Sequence, residues 1–300
     1  MMVVEPEALL RWINQRLQTD FVLVERYTAG EQGAYAIVDR AGQRFVLKWS
    51  ADARDLDNYR VAAATASVLR TVDYPAPVYR YVGALQQGSY VIQDELPGRP
   101  MGVVSDAFLL PLLQLNGLQA GRAIPGPRDW PSRVVETVLV GGDGYCVLDS
   151  LRHYSQTTSE LLSALQALVS ARARNRFETN DIVHFDFQPS NILVDSGTIS
   201  GVVDWEGSCA GDCTFDLATL LFYSYDVPEL RRRLWRESLE RAAPDALAVY
   251  LAHLILRQVD WSIRHHDRDT VDYFIIRARD VLRDIARVCK DGSSSFSAHD

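Results

Sequence analysis

Apolar residues change period twice along the first third of the chain. Leu9, Leu10, Ile13 and Leu17 recur at helical spacing behind Pro6 and predict an opening helix. Phe21 to Tyr27, Ala34 to Asp39 and Arg44 to Trp49 are short β-prone runs separated by Ala29-Gly30-Glu31-Gln32-Gly33 and Ala41-Gly42-Gln43, which predicts an antiparallel meander. Asp55 to Val72 reads as a helix closed by Pro75 and Pro77, and Val78 to Val82 and Tyr90 to Gln93 read as two more strands. Past Leu96-Pro97-Gly98-Arg99-Pro100 the spacing turns helical, at Asp106 to Gln119, Ser155 to Arg174, Pro228 to Ala242, Ala246 to His265 and Thr270 to Lys290. Among those helices Ile182 to Val183, Ile192 to Asp195 and Ile199 to Val203 predict small strands that carry loops. The fold class is α+β, with a small β-rich front and a larger α-rich back, and residues 291–300 read as a disordered tail.

Composition narrows the function classes. With 300 residues and 47% hydrophobic side chains the chain can bury a core without a metal or disulfide staple. Met1 to Trp12 lacks the basic and apolar segments of a signal peptide and no apolar run spans a bilayer, so the expected setting is cytoplasmic, with no membrane partner. Cys146, Cys209, Cys213 and Cys289 show no paired spacing and read as inert thiols rather than zinc ligands. A net charge of -8 argues against a nucleic-acid partner. The acidic excess is confined to residues 94–225, which hold 16 acids against 8 bases. Such a segment suits Mg²⁺ or a cationic substrate, and equally a solvated acidic face.

The strongest chemical signal is His184-Phe185-Asp186-Phe187-Gln188-Pro189-Ser190-Asn191, followed by a predicted hairpin and Val202-Val203-Asp204-Trp205-Glu206. Singly, Asp186, Asn191 and Asp204 would read as turn formers. In this order, flanking one hairpin, they match the needs of phosphoryl transfer: an acid to orient and deprotonate a hydroxyl, and an oxygen-bearing pair to hold Mg²⁺ on phosphates.

Lys48 stands out independently. It is one of two lysines beside 29 arginines, and it interrupts the apolar run Phe45-Val46-Leu47-Lys48-Trp49. A compact ammonium on a strand is suited to gripping phosphate, where a guanidinium would present a broader fork; a snorkelling surface lysine is the plainer alternative. Gly30 and Gly33 lie between two strands, which fits a hairpin lid over nucleotide phosphates or an ordinary hairpin turn.

The H-x-D-x₄-N loop, Val-Val-Asp-Trp-Glu and Gly211-Asp212-Cys213-Thr214-Phe215-Asp216-Leu217-Ala218 together resemble the aminoglycoside phosphotransferase and choline kinase family, whose fold is like that of protein kinases. The resemblance implies two lobes: residues 1–93 as the nucleotide-binding lobe, 94–100 as the hinge and 101–290 as a helical lobe with the catalytic loop and substrate site. It implies Asp186 as catalytic base, Asn191 and Asp204 as Mg²⁺ ligands, and Lys48, Gly30, Gly33, Gln93 and Glu95 along the ATP or GTP site. His184 would brace the loop and Asp216 would anchor it.

Two departures from the family stand in the sequence. Phe185 occupies a place where the family usually has glycine. Kinases also pair the strand lysine with a glutamate of the next helix, and here that place falls on Ala64 or Thr65, with Asp55 or Asp57 as the nearest substitutes. Glu206 reads equally as a ligand of metal or substrate and as a local cap. Asp260 and Trp261, with His265, His266, Asp267 and Tyr273 nearby, are candidates for the substrate side. The expected activity is transfer of a γ-phosphoryl group to a hydroxyl of a small molecule, an aminoglycoside-type polycation first. The alternatives are a choline, homoserine or sugar-like acceptor, or a nucleotide-binding pseudokinase.

Overall fold

The computed structural model describes residues 5–27, 33–124, 126, 129–142, 145–173 and 177–290. They form two compact units, one running to Met101 and including Ser190–Ser208, the other holding Gly102–Pro189 and the chain from Cys209. The hairpin that follows Asn191 thus belongs to the first unit, although its sequence lies inside the stretch 101–290 expected to be one helical lobe. Gly30 and the tail 291–300 lie outside the described residues.

In the first unit α1 (Pro6–Leu17) leads into an antiparallel sheet of β1 (Val22–Arg26), β2 (Ala34–Val38), β3 (Arg44–Ser50), β4 (Tyr79–Ala84) and β5 (Ser89–Asp94). Its order is β1-β2-β3-β5-β4, because α2 (Asp55–Arg70) carries the chain from β3 out to the far edge before β5 returns beside β3. Alternation along β3 decides what each face does. Phe45 and Leu47 join Leu9, Leu10, Ile13, Phe21, Ile37, Tyr90 and Ile92 in the core under α1. Val46 and Lys48 therefore point to the opposite face. Leu47 is fully buried, and trimming it to alanine would cost about 2–5 kcal/mol.

The expected hinge ends in a strand. β6 (Arg99–Pro100) pairs with β8 (Ile192–Asp195), which forms a hairpin with β9 (Thr198–Val202). Gly98 has φ +108°, and a Cβ there would lie 2.7 Å from Val194 O, so this close crossing requires glycine.

The second unit is helical: α3 (Asp106–Gln119), α4 (Trp130–Val140), α5 (Leu148–Tyr154), α6 (Gln156–Ser170), α7 (Thr214–Tyr223), α8 (Pro228–Leu239), α9 (Pro244–His265) and α10 (Arg268–Lys290), with a short pair of β7 (Asp181–Val183) and β10 (Cys209–Gly211). α9 is buried nearly all round from Ala246 to Ser262 and packs against α4, α5, α6, α7 and α10. α10 buries only Val271, Ile275, Arg277, Ala278, Val281, Ile285 and Val288, the stripe of a helix with one wet face. Helices α4, α5 and α7 are absent from the sequence-based prediction. α4 nevertheless carries a start signal, Asp129 capping the Ser132 N–H at 3.0 Å with Pro131 in the first turn. α7 is buried on all sides, so no apolar stripe betrays it. Among the described residues no helix is long and apolar enough to cross a membrane.

Candidate active site

The predicted site residues fall into two groups, one in each unit. In the first, register places Lys48 across from Ala34 on β2 and Val91 on β5. Its Nζ donates to Glu206 Oε1 at 3.0 Å and pairs with Asp204 Oδ1. Burial opposes the charge of this ammonium, but the Asp204 and Glu206 carboxylates outweigh burial and raise its pKa above the ordinary lysine value. Lys48 is therefore a largely buried, firmly protonated cation.

The hairpin supplies its partners. Ile192 pairs with Val202, and the Val203 N–H donates to Asn191 O at 2.9 Å, so Asn191 and the Asp204 segment stand side by side at the open end of β8 and β9. Between the two acids Trp205 is fully buried, donates Nε1–H to Val202 O at 2.8 Å and meets the Tyr74 ring edge-on. Anchoring the middle residue of Asp-Trp-Glu orients the acid on either side. Asn191, Asp204 and Glu206 offer oxygen donors, the set a hard cation such as Mg²⁺ takes, so the residues fit that ion.

The helix glutamate expected from kinases is replaced in kind. α2 packs on the turn Trp205–Gly207 through Thr65, whose Oγ1 lies 3.4 Å from Ser208 Oγ, and brings no acid to Lys48. Asp55 is hydrogen-bonded to Asn58 and Asp57 is paired with Arg60, so neither serves as the substitute. Glu206 does, which settles its place as a partner of Lys48. Glu95 is paired with Arg44 at 2.6 Å, and Gln93 is buried with no hydrogen-bond partner for its Oε1. Gly33, the described member of the glycine pair, has φ outside the left-handed region and lies near Tyr35 and Arg26.

In the second unit the loop His184–Gln188 is built from buried hydrogen bonds. Asp216, on the first turn of α7, accepts the N–H of His184 at 2.8 Å, the N–H of Phe185 at 3.0 Å and Gln119 Nε2 at 2.6 Å. Burial raises the Asp216 pKa above the ordinary carboxylate value, and His184 and these donors only partly offset it. His184 is fully buried, and its Nδ1 accepts the Asp186 N–H at 3.2 Å. Asp186 itself accepts Gln188 Nε2 on Oδ2 and Arg257 Nη2 on Oδ1, both at 3.0 Å.

Phe185 adopts φ +75°, the left-handed conformation that glycine would hold freely and that costs a bulky side chain about 1–3 kcal/mol. Its surroundings over-determine it. The ring stacks on Phe215, centroids 5.0 Å apart and planes at 4°, with the Arg133 guanidinium 3.4 Å from its centroid and His253 against its edge. Its carbonyl accepts Arg257 Nη1 at 2.7 Å. Arg257 was not among the sequence candidates; nothing in the run around it separates it from 28 other arginines.

The substrate candidates fare differently. Asp260 is fully buried, and its carboxylate is taken by Arg264 Nη2 at 2.6 Å and Ser150 Oγ at 2.6 Å, which makes it a brace between α5 and α9 rather than an open anionic contact. Trp261 stacks on His265, ring centroids 3.8 Å apart. Three of the four thiols are buried and none of the four forms a disulfide. Asp181, Asp212 and Cys213 lie close together, but Asp212 accepts Tyr250 OH and the Thr214 N–H while Asp181 accepts the Gly121 and Cys213 N–H groups, so their oxygens are engaged within the fold.

The fold has solved counterparts. The aminoglycoside phosphotransferase APH(4)-Ia superposes with a TM-score of 0.72 over 93% of this chain and 99% of that one, at 18% identity. The choline kinase LicA from Streptococcus pneumoniae does so at 0.62, over 94% and 99%, with 13% identity. Hygromycin-B 4-O-kinase of Escherichia coli is 29% identical over 89 residues, a stretch covering 29% of this chain and 26% of that protein, so the match spans about a quarter of that relative. The kinase-like division into a small sheet-bearing part and a mainly helical part, as anticipated from the catalytic loop, is thus the observed architecture. The phosphotransferase enzyme family matches residues 24–250, most of the chain, and the protein belongs to that family.

Proposed function

We propose that the protein is a small-molecule kinase that moves the γ-phosphoryl group of ATP or GTP to a hydroxyl of an aminoglycoside-type acceptor. The single observation that carries the chemistry is the pairing of a buried, protonated Lys48 with the Asp204 and Glu206 carboxylates on a hairpin that also bears Asn191. In this reading Lys48 neutralises phosphate charge, and Asn191 and Asp204 hold Mg²⁺, which would screen the leaving phosphates. Asp186 orients the acceptor hydroxyl and takes its proton as the phosphoryl group departs. Glu206 answers the one argument for a pseudokinase, a lysine without its carboxylate. Support for the acceptor class comes from the partial likeness to hygromycin-B 4-O-kinase and from an APH(4)-Ia structure determined with AMP-PNP and hygromycin B. Four cysteines that form no disulfide suit a reducing, cytoplasmic setting.

One observation favours the alternative of a metabolite acceptor. Arg257 and Arg133 lie beside Asp186 and Phe185, while Asp260 is already neutralised by Arg264. A neutral or anionic acceptor would meet less repulsion there than a polycation.

The test is coupled nucleoside-diphosphate release with Mg²⁺ and ATP or GTP over hygromycin B, other aminoglycosides, choline, homoserine and sugars, with Asp186→Asn as control. Release that depends on one acceptor class and drops by about 10²–10⁴ in the control is expected. Equal release from wild type and control would remove Asp186 as the base.

A further inference from the structure

Arg257 bridges two groups of the loop that carries Asp186. One guanidinium reaches the carbonyl of Phe185 through Nη1, at 2.7 Å, and the carboxylate of Asp186 through Nη2, at 3.0 Å. Its side chain is 11% exposed and extends from the middle of α9, a helix buried along most of its length. Burial opposes its charge, but Tyr145, Asp186 and Tyr223 around it favour the charged form, so the fork is a permanent cation.

The loop needs such a clamp because of what stands at position 185. Glycine would occupy φ +75° without cost, whereas phenylalanine tends to relax out of the left-handed region and would carry the next residue with it. The Phe185 N–H is fixed by Asp216 and its ring by Phe215 and Arg133. The Phe185 carbonyl, part of the peptide that leads directly into Asp186, is fixed by Arg257.

We infer that Arg257 is a positioning residue: by bridging the Phe185 carbonyl and the Asp186 carboxylate it holds the base in its working rotamer, a task created by the non-glycine residue that precedes that base. Arg257 hands no proton to the acceptor and takes none from it. The inference rests on Asp186 being the base. Aiming a reacting group is worth a large factor, since misplacement by about 1 Å can cost on the order of 10²-fold in rate.

The experiment compares Arg257→Ala, Arg257→Lys and Asp186→Asn with wild type. The acceptor is the one returned by the screen above, or water, read as nucleotide hydrolysis, if none is returned. Expected for Arg257→Ala is a fall in kcat of about 10²-fold, with little change in acceptor KM and nucleotide affinity. Added ethylguanidinium should restore part of that kcat, and should do nothing for Asp186→Asn. Arg257→Lys, which keeps the charge but cannot span both oxygens, should fall between alanine and wild type.

Wild-type kcat in a folded Arg257→Ala overturns the inference. So does a loss that appears mainly in acceptor KM, which would mark Arg257 as a substrate contact, or a loss that tracks lowered Tm and resists ethylguanidinium, which would mark it as structural. If the alanine variant does not fold, Arg257→Lys decides, and wild-type kcat there is the overturning result. An unaffected Asp186→Asn would sink the assignment of the base itself, whereas an impaired Asp186→Asn beside a fully active Arg257→Ala would sink only the positioning role.

Discussion

The two units hold their charged residues by different means. In the first, Lys48, Asp204 and Glu206 lie on a strand and on the end of a hairpin, and their positions follow from sheet register and the anchored Trp205. Opposite charges meet on a largely regular scaffold, where the one left-handed residue of the three, Asp204 at φ +69°, is of a type that tolerates that region. In the second, Asp186 sits on a loop whose backbone is partly strained, and it is held by a buried carboxylate, a buried guanidinium and stacked rings drawn from α4, α7 and α9. A regular scaffold places side chains through local geometry, whereas a strained loop depends on packing from distant sequence. Changes to the charged residues of the first unit should therefore act mainly on charge, and changes to those of the second should act on charge and folding together.

In the first unit the largest effect should come from Lys48→Met. It leaves Asp204 and Glu206 without their cation and removes the charge that would face phosphate, so kcat/KM for the nucleotide should fall by about 10²–10³-fold. Steady-state kinetics beside a melting curve tests whether the fold survives this loss, as the comparison requires. The counterpart in the second unit is Asp216→Ala, which strands the buried N–H groups of His184 and Phe185 and leaves Gln119 Nε2 with only the Ile182 carbonyl as acceptor. Unfolding in urea should show a loss of about 3–5 kcal/mol, and a loss near zero would show that the loop is not held by Asp216.

A subtler pair isolates the backbone strain. Phe185→Ala opens a cavity and keeps the left-handed penalty, while Phe185→Gly opens the same cavity and removes it. The glycine variant should be the more stable of the two by about 1–2 kcal/mol, the reverse of the order in a helix. Thermal melts of both suffice, and an alanine variant equal to or above the glycine one would show that the strain is absorbed elsewhere.

The smallest effect concerns pH. His253 is fully buried, and desolvation, with Arg257 and Arg133 nearby, lowers its pKa from 6.5 to about 3. Because the folded value is depressed, the unfolded chain binds a proton that the native chain refuses below pH 6.5. Stability is complete above that value and declines as pH falls toward 3. Between pH 7 and pH 5 His253 should account for about 2 kcal/mol of lost stability. A His253→Gln variant should show a flatter acid arm in denaturant titrations, and an unchanged slope would mean that His253 is protonated in the native state.

Residue order determined a good deal of this protein. Strands β1 to β5 and helices α1 to α3, α6 and α8 to α10 follow from apolar period and from glycine and proline punctuation, because a half-buried element must show its face in the sequence. The candidates Asp186, Asn191, Asp204 and Lys48 could be picked out because polar side chains in a fixed order, and a lysine in an arginine-rich chain, stand out locally; their roles are those proposed above. The tertiary structure alone decided the rest. It grouped the 190–208 hairpin with the sheet, brought Glu206 rather than an acid of α2 to Lys48, and closed Asp260 off beneath Arg264. It also revealed Arg257, 71 residues from Asp186, as the cation on that carboxylate. The physical reason is the same each time: local pattern records whether a residue is buried, but which distant partner compensates a buried charge or a strained peptide depends on helices and strands meeting in three dimensions.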